Sequence, residues 1–335
     1  MRVSTRKGNF AREVPNGARS RPVPTWSLAW RLTGLVLLTL ALGTAGAGLV
    51  KLGLERALPS AGWLARAVEL ERVGDTFTYD LGRVSRRVLV ALLLVVLLLT
   101  RRSVPWATFT RRGLARRRGW WRLWCIGGAV AGALVLVFSV MIVLSGPVRW
   151  LHQTPGRWVT YLVEYGLGAV LVGLVEEVFF RGVVFRSMAR DWGVRCGVLA
   201  SSFLFAVLHC ISGALRVSPG WEPLVGLRLL AAYFTDGGSL WADGRLLVGL
   251  FLLGCLQAVL YLRTGSLWAG SGLHGGLYFF SKVMKKVYRP DAFPRWLVGD
   301  AVFVVSGVLA WALLAGLVVV AVRMRAEWWR RIRRA

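Results

Sequence analysis

The sequence predicts an all-α fold: a polytopic membrane helical bundle with about eight transmembrane helices. Three observations carry that prediction. Of the 335 residues, 56% are hydrophobic, and the mean hydropathy is +0.57. The apolar residues gather into runs approaching the roughly 20 residues a helix needs to cross a bilayer. The charges, 43 Lys+Arg against 16 Asp+Glu for a net +27, fall mostly between those runs. A soluble chain this basic would be read first as a nucleic-acid binder. Here no basic motif interleaved with aromatics is present, so no nucleic-acid partner is expected. Disorder is excluded for most of the length by the apolar content. A disulfide-stapled module is excluded as well, because the four cysteines (Cys125, Cys196, Cys210 and Cys255) are sparse and form no CxxC pair.

In chain order the apolar runs are 28–50, 88–100, 123–145, 158–180, 197–211, 246–262, 266–280 and 296–322. The second, fifth and seventh are short for a full crossing. A basic segment, 1–27, precedes the first run, and no cleavable leader is expected because that run is itself long enough to span. Residues 28–157 hold the N-terminal helices, 158–282 a core, and 283–335 the last helix with a basic tail. Tryptophans at 106, 120, 121, 124, 150, 158, 296, 328 and 329 mark run ends, as an interfacial belt would.

Charge asymmetry gives orientation. The segment after the second run carries Arg101, Arg102, Arg111, Arg112, Arg116, Arg117, Arg118 and Arg122 with no acid. Basic segments also precede the first run, follow the fourth and close the chain. The loops after runs one and five balance their charges. The alternation predicts a cell (inner) membrane protein with both termini cytoplasmic. One stretch breaks the pattern: Lys282, Lys285, Lys286, Arg289 and Arg295 fall on the outer side by this count. Either that stretch lies along the surface or a short span is misplaced.

Against this background the ionisable residues inside apolar runs stand out. They are Glu164, Glu176, Glu177 and Asp300, with His209 and His274; the third histidine, His152, falls in a loop. A charged side chain at mid-span costs about 2.5–3.5 kcal/mol on insertion scales, so it is read as functional by default. Glu164 and Asp300 belong to no motif. Glu177 and Arg181, four apart on a helix, share a face and can offset each other's burial. Glu176 is turned about 100° away and escapes that pairing. It is free to act as a base. Phe205 stacks one turn before His209. Thr264-Gly265-Ser266-Leu267-Trp268 forms a tight turn into the run that carries His274-Gly275-Gly276, whose glycines let a neighbour approach closely.

EExxxR, then FxxxH, then a TGSLW turn before a helix-borne histidine resembles the motif order of the CPBP family. That family comprises the Rce1-type CAAX prenyl endopeptidases and the related bacteriocin-processing and self-immunity proteins. The resemblance implies an intramembrane endopeptidase acting on a membrane-associated protein or peptide. It implies that Glu176 activates the attacking water with help from His209, and that His274 binds the developing oxyanion. Glu177 and Arg181 would hold their helix in place. Where the family usually has Asn or Asp four residues after the last histidine, this chain has Tyr278, whose hydroxyl donates with a different reach. No cofactor is required by this mechanism. The alternative is a zinc site of Glu176, His209 and His274. Two further readings remain open: a non-catalytic immunity or scaffold protein of the same fold, and a proton-coupled transporter.

Overall fold

The structure, a computed structural model, describes residues 119–210, 244–299 and 304–324 continuously, with short pieces of 46–56, 71–80, 113–114, 216–217 and 222–231. The run 88–100, nearly all of 28–50, both basic termini and Asp300 lie outside the described residues.

The described chain is mostly helical, and its helices follow the apolar runs with instructive departures. α1 (Trp120–Ser145) coincides with the third run. α2 (Pro155–Glu177) has a proline in its first turn, where the ring's fixed φ is pre-set for a helix and the missing N–H costs nothing. The fourth run does not continue as one α-helix. At Val178 the backbone widens into a π-helical segment, Val178–Phe185, with Arg181 at its middle and nearly all its residues buried. α3 (Arg186–Cys210) turns sharply at Gly193, where φ is +84°, so the fifth run is only its second limb.

α4 (Gly244–Thr264) leads through Gly265, with φ +63°, into α5 (Trp268–Val287). α5 is longer than its apolar run and takes Lys282, Lys285 and Lys286 into its last turns. The last run, expected as one helix over 296–322, is broken. It gives a single turn α6 (Arg295–Val298), a 3₁₀ turn at Val304–Ser306, and α7 (Val308–Arg323). Gly299, at φ +87°, ends the first piece.

Five short strands accompany the helices among the described residues. β1 (Glu71–Val73) and β2 (Thr76–Asp80) pair antiparallel, and β4 (Arg216–Val217) adds to the other edge of β2. β3 (Val148–Trp150) pairs antiparallel with β5 (Tyr288–Pro290). Such short strands leave no readable period in a sequence. The second pairing carries the basic stretch after Val287 back across the end of the bundle, so that stretch lies along the surface of that end.

α5 is the packing centre, lying against α1 and α2, while α3 and α7 both pack on α4. The α2–α5 approach depends on missing side chains. A Cβ at Gly173 would sit 2.6 Å from the Ser271 carbonyl oxygen, and one at Gly275 would sit 2.5 Å from that of Ala169. Phe138, Phe205, Leu273 and Leu314 are fully buried in the core. The outward faces are apolar too: Leu136, Leu144, Leu162, Leu167, Leu171 and Phe203 are all exposed. A helix apolar all round belongs in a membrane or in the core of a large assembly. Among the described residues, α1 and α4 are long and apolar enough to cross a bilayer, and α7 is a shorter apolar helix.

Candidate active site

Glu176 and Glu177 are the last two residues of α2, where the π-helical segment begins. π-helical insertions concentrate at functional sites because the widened turn re-aims side chains. Here the two glutamates and Arg181 point into the space between α3, α4 and α5.

The inner pair is sealed. Arg181 Nη1 lies 3.1 Å from Glu177 Oε1, with the side chains 2% and 1% exposed. Arg181 Nη2 donates to the Gly254 carbonyl at 3.2 Å and to Gln257 Oε1. Its guanidinium lies 4.6 Å over the Phe205 ring and 5.7 Å from that of Phe180. Burying a charge pair at this depth is costly unless further hydrogen bonds support it, and α4 supplies two acceptors for Arg181 Nη2. Gly270 gives the Glu177 carboxylate its room, since a Cβ there would fall on it.

The outer group is more open. His209 Nδ1 lies 2.8 Å from the Phe205 carbonyl oxygen. A carbonyl only accepts, so Nδ1–H donates, and the ring presents Nε2 to Glu176 Oε2 at 3.0 Å. At that distance a proton can pass between the two groups: a carboxylic acid can donate to imidazole, or imidazolium to carboxylate. His274 Nε2 lies 3.5 Å from the same oxygen, and its Nδ1 lies 3.8 Å from Glu177 Oε1. The side chains of Glu176 and His209 are 26% and 28% exposed, against 10% for His274. Phe205, wholly buried, is the shared wall, with ring centroids 4.2 Å from His209 and 5.7 Å from His274. The buried atoms Glu177 Oε2, Ser271 Oγ and His274 Nδ1 have no hydrogen-bond partner among the described residues. Polar atoms of that kind mark a place that takes water or a polar ligand.

Chemically, the outer group offers a base that can exchange a proton with an imidazole, and a second imidazole beside it. It also has the donors of a metal site. One atom from each of Glu176, His209 and His274 lies within 4.8 Å of the others. Tetrahedral zinc with bonds of about 2.0–2.1 Å requires ligand atoms roughly 3.4 Å apart. The two Glu176–histidine separations, 3.0 and 3.5 Å, are near that value, and the three atoms together lie within 4.8 Å. The His209–Phe205 carbonyl bond is the kind of outer contact that orients a ligand imidazole.

The structure thus brings together Glu176, Glu177, Arg181, Phe205, His209 and His274, which the sequence scatters over about a hundred positions. Tyr278 lies one turn beyond His274, its hydroxyl 3.0 Å from where a Cβ at Gly168 would sit, with Lys282 Nζ 5.7 Å from its ring. Glu164 is on an exposed face of α2, and His152 is exposed in the loop after β3. Gln257 and Phe180 escaped sequence reasoning. Phe180 looked like any apolar residue. Gln257 did leave a signal, as the lone amide in the run 246–262.

Residues 158–280 match the family model described as Type II CAAX prenyl endopeptidase Rce1-like. That is the family to which the motif order points, and the matched segment contains every side chain of the cluster. No curated protein and no solved structure matches the chain.

Proposed function

We propose that the chain is an intramembrane endopeptidase, hydrolysing a peptide bond of a membrane-associated protein or peptide in a CAAX-type or leader-processing reaction. The observation that carries this reading is the division of the two adjacent glutamates. Glu177 is neutralised by Arg181 in a sealed pocket, while Glu176 faces His209 and His274 on the open side. Two ionisable groups with different environments can take different roles. Glu176 accepts a proton from the attacking water as it adds to the scissile carbonyl. The step starts from the Glu176 carboxylate and the His209 imidazolium: His209 gives its Nε2 proton to the leaving amine and regains one from Glu176, which carries the proton taken from water. His274 donates to the oxyanion as charge develops there, and Phe205 keeps both rings in register. Glu177 and Arg181 anchor the junction that aims Glu176.

No cofactor is needed for this sequence of proton transfers. Zinc, where present, would be held by Glu176, His209 and His274 and would supply Lewis-acid polarisation of the scissile carbonyl. The remaining organisation is part of the proposal. About eight spans would lie in the cell (inner) membrane with cytoplasmic termini, a basic segment over 1–27, helices over 28–157, the catalytic core over 158–282 and the last helix and tail over 283–335. The partners are the bilayer and a membrane-tethered substrate, with no nucleic acid.

The test is turnover of a panel of membrane-tethered peptides by purified wild type, Glu176→Gln and His209→Ala. Both variants should lose cleavage by at least a hundredfold, at the scale of general acid–base catalysis. Variants that cut as well as wild type would end the catalytic assignment. One observation favours a second reading, a non-catalytic immunity or scaffold protein: Tyr278 occupies the position where the resembled family has Asn or Asp. Binding of those peptides without turnover by wild type would support that reading instead.

A further inference from the structure

At the end of the bundle where α1 and α5 finish and α2 begins, the β3–β5 ribbon places Arg149 directly opposite Arg289. Like charges facing each other across an antiparallel pair are destabilising. Alternation fixes which way they point. Tyr288, next to Arg289, is 7% exposed and packed into the core, so the Arg149/Arg289 pair must face outward, and both are exposed. Arg149 is met by Asp291, at 2.7 Å. Arg289 has no ion pair among the described residues.

The surroundings are of the same sign. Arg157 in the first turn of α2 and Arg295 at the start of α6 are exposed, and Lys286 in the last turn of α5 lies 4.9 Å from the Tyr161 ring. Asp291 is the one acid in 282–299, a stretch that holds Lys282, Lys285, Lys286, Arg289 and Arg295. A large aromatic stands out of the same end beside Arg295, Trp296 at 61% exposure, while Trp150, paired with Tyr288, takes the other face of the ribbon. An exposed tryptophan beside an arginine, at the level where an apolar bundle stops, suits the headgroup layer of a membrane.

We infer that this ribbon end is a docking surface for acidic phospholipid headgroups, with Arg289 and Arg295 taking the phosphate and Trp296 seated at the acyl boundary. With Arg149 already met by Asp291, the lipid's anion supplies the counter-charge that Arg289 lacks among the described residues, and a guanidinium can meet a phosphate with two hydrogen bonds. Because α1 runs from Trp120 to Ser145 and the cluster lies where it finishes, the lipid is in the leaflet away from Arg122, in the first turn of α1. This inference is independent of the proteolytic reading.

The experiment uses the full chain in neutral detergent, titrated with fluorescent phosphatidylglycerol, phosphatidylcholine or inorganic phosphate. Wild type is compared with Arg289→Gln, Arg295→Gln and the double variant. Wild type should prefer the acidic lipid, and each removed charge should weaken that binding about fivefold. The substituted arginines are exposed, so the variants should melt with wild type, which separates lost binding from lost folding. No preference for the acidic lipid, or a preference unchanged in the double variant, would overturn the inference. Inorganic phosphate competing at the same concentration as the lipid would also overturn it, by showing a free-anion site instead of a membrane surface.

Discussion

Removing the charge of Arg181 probes the part of the site most firmly tied to its surroundings. Arg181→Met keeps the length and apolar bulk of the side chain. It leaves Glu177, 1% exposed, without its ion pair at 3.1 Å, and takes the donor from the Gly254 carbonyl and Gln257 Oε1. A buried charge stranded in this way costs about 3–5 kcal/mol. Glu177→Gln strands the arginine and should cost a similar amount. The double variant buries no charge. Its remaining loss is the two α4 acceptors, each worth about 1–3 kcal/mol when left unsatisfied. The single costs therefore sum to roughly 6–10 kcal/mol, while the double should cost about 2–6, a coupling of several kcal/mol. Denaturant unfolding in detergent, followed by tryptophan fluorescence, measures all four corners of the cycle. Costs that simply add would refute the claim that these two side chains stabilise each other.

Further outcomes follow from the same geometry. Gly270→Ala should push the Glu177 carboxylate off Arg181, costing about 1–3 kcal/mol in unfolding experiments and lowering turnover. A variant as stable and active as wild type would show that the carboxylate has room to move. Gln257→Leu removes one of the two α4 acceptors of Arg181 and should lower kcat with KM little changed, by disturbing the junction that aims Glu176. A change in KM alone would place Gln257 in substrate binding. Turnover should survive a strong chelator under the metal-free mechanism. Loss restored by added zinc would make Glu176, His209 and His274 ligands instead.

Much of the site was legible in the sequence because a membrane makes ionisable residues expensive. In an apolar run Glu176, Glu177, His209 and His274 cannot pass as ordinary surface charges, and the Glu177–Arg181 spacing already implied their pairing. That pairing survives even though the helix changes type between the two residues, since the π-helical segment still brings Arg181 back over Glu177. Gln257 was harder to see, because a neutral amide costs little and its meaning depends on a guanidinium 76 positions away. The broken last helix was equally hidden. Over 296–322 the mostly apolar sequence is interrupted only at Gly299-Asp300 and Ser306-Gly307, and it is the left-handed φ of Gly299 that shows the helix ending there.

What the sequence determined by itself was inventory and setting: apolar runs too many for a soluble core, charges confined mostly to their ends, and a handful of acids and histidines in costly positions. Those follow from transfer free energies, which depend on residue type and local context. The tertiary structure decided convergence. Which oxygen of Glu176 faces both imidazoles, which glutamate is sealed and which is open, and which way the Arg149/Arg289 ribbon turns its charges all depend on contacts between distant segments. Periodicity carries no information about such contacts, because each is settled by how glycine-lined helix faces close on one another, as at Gly173 and Gly275.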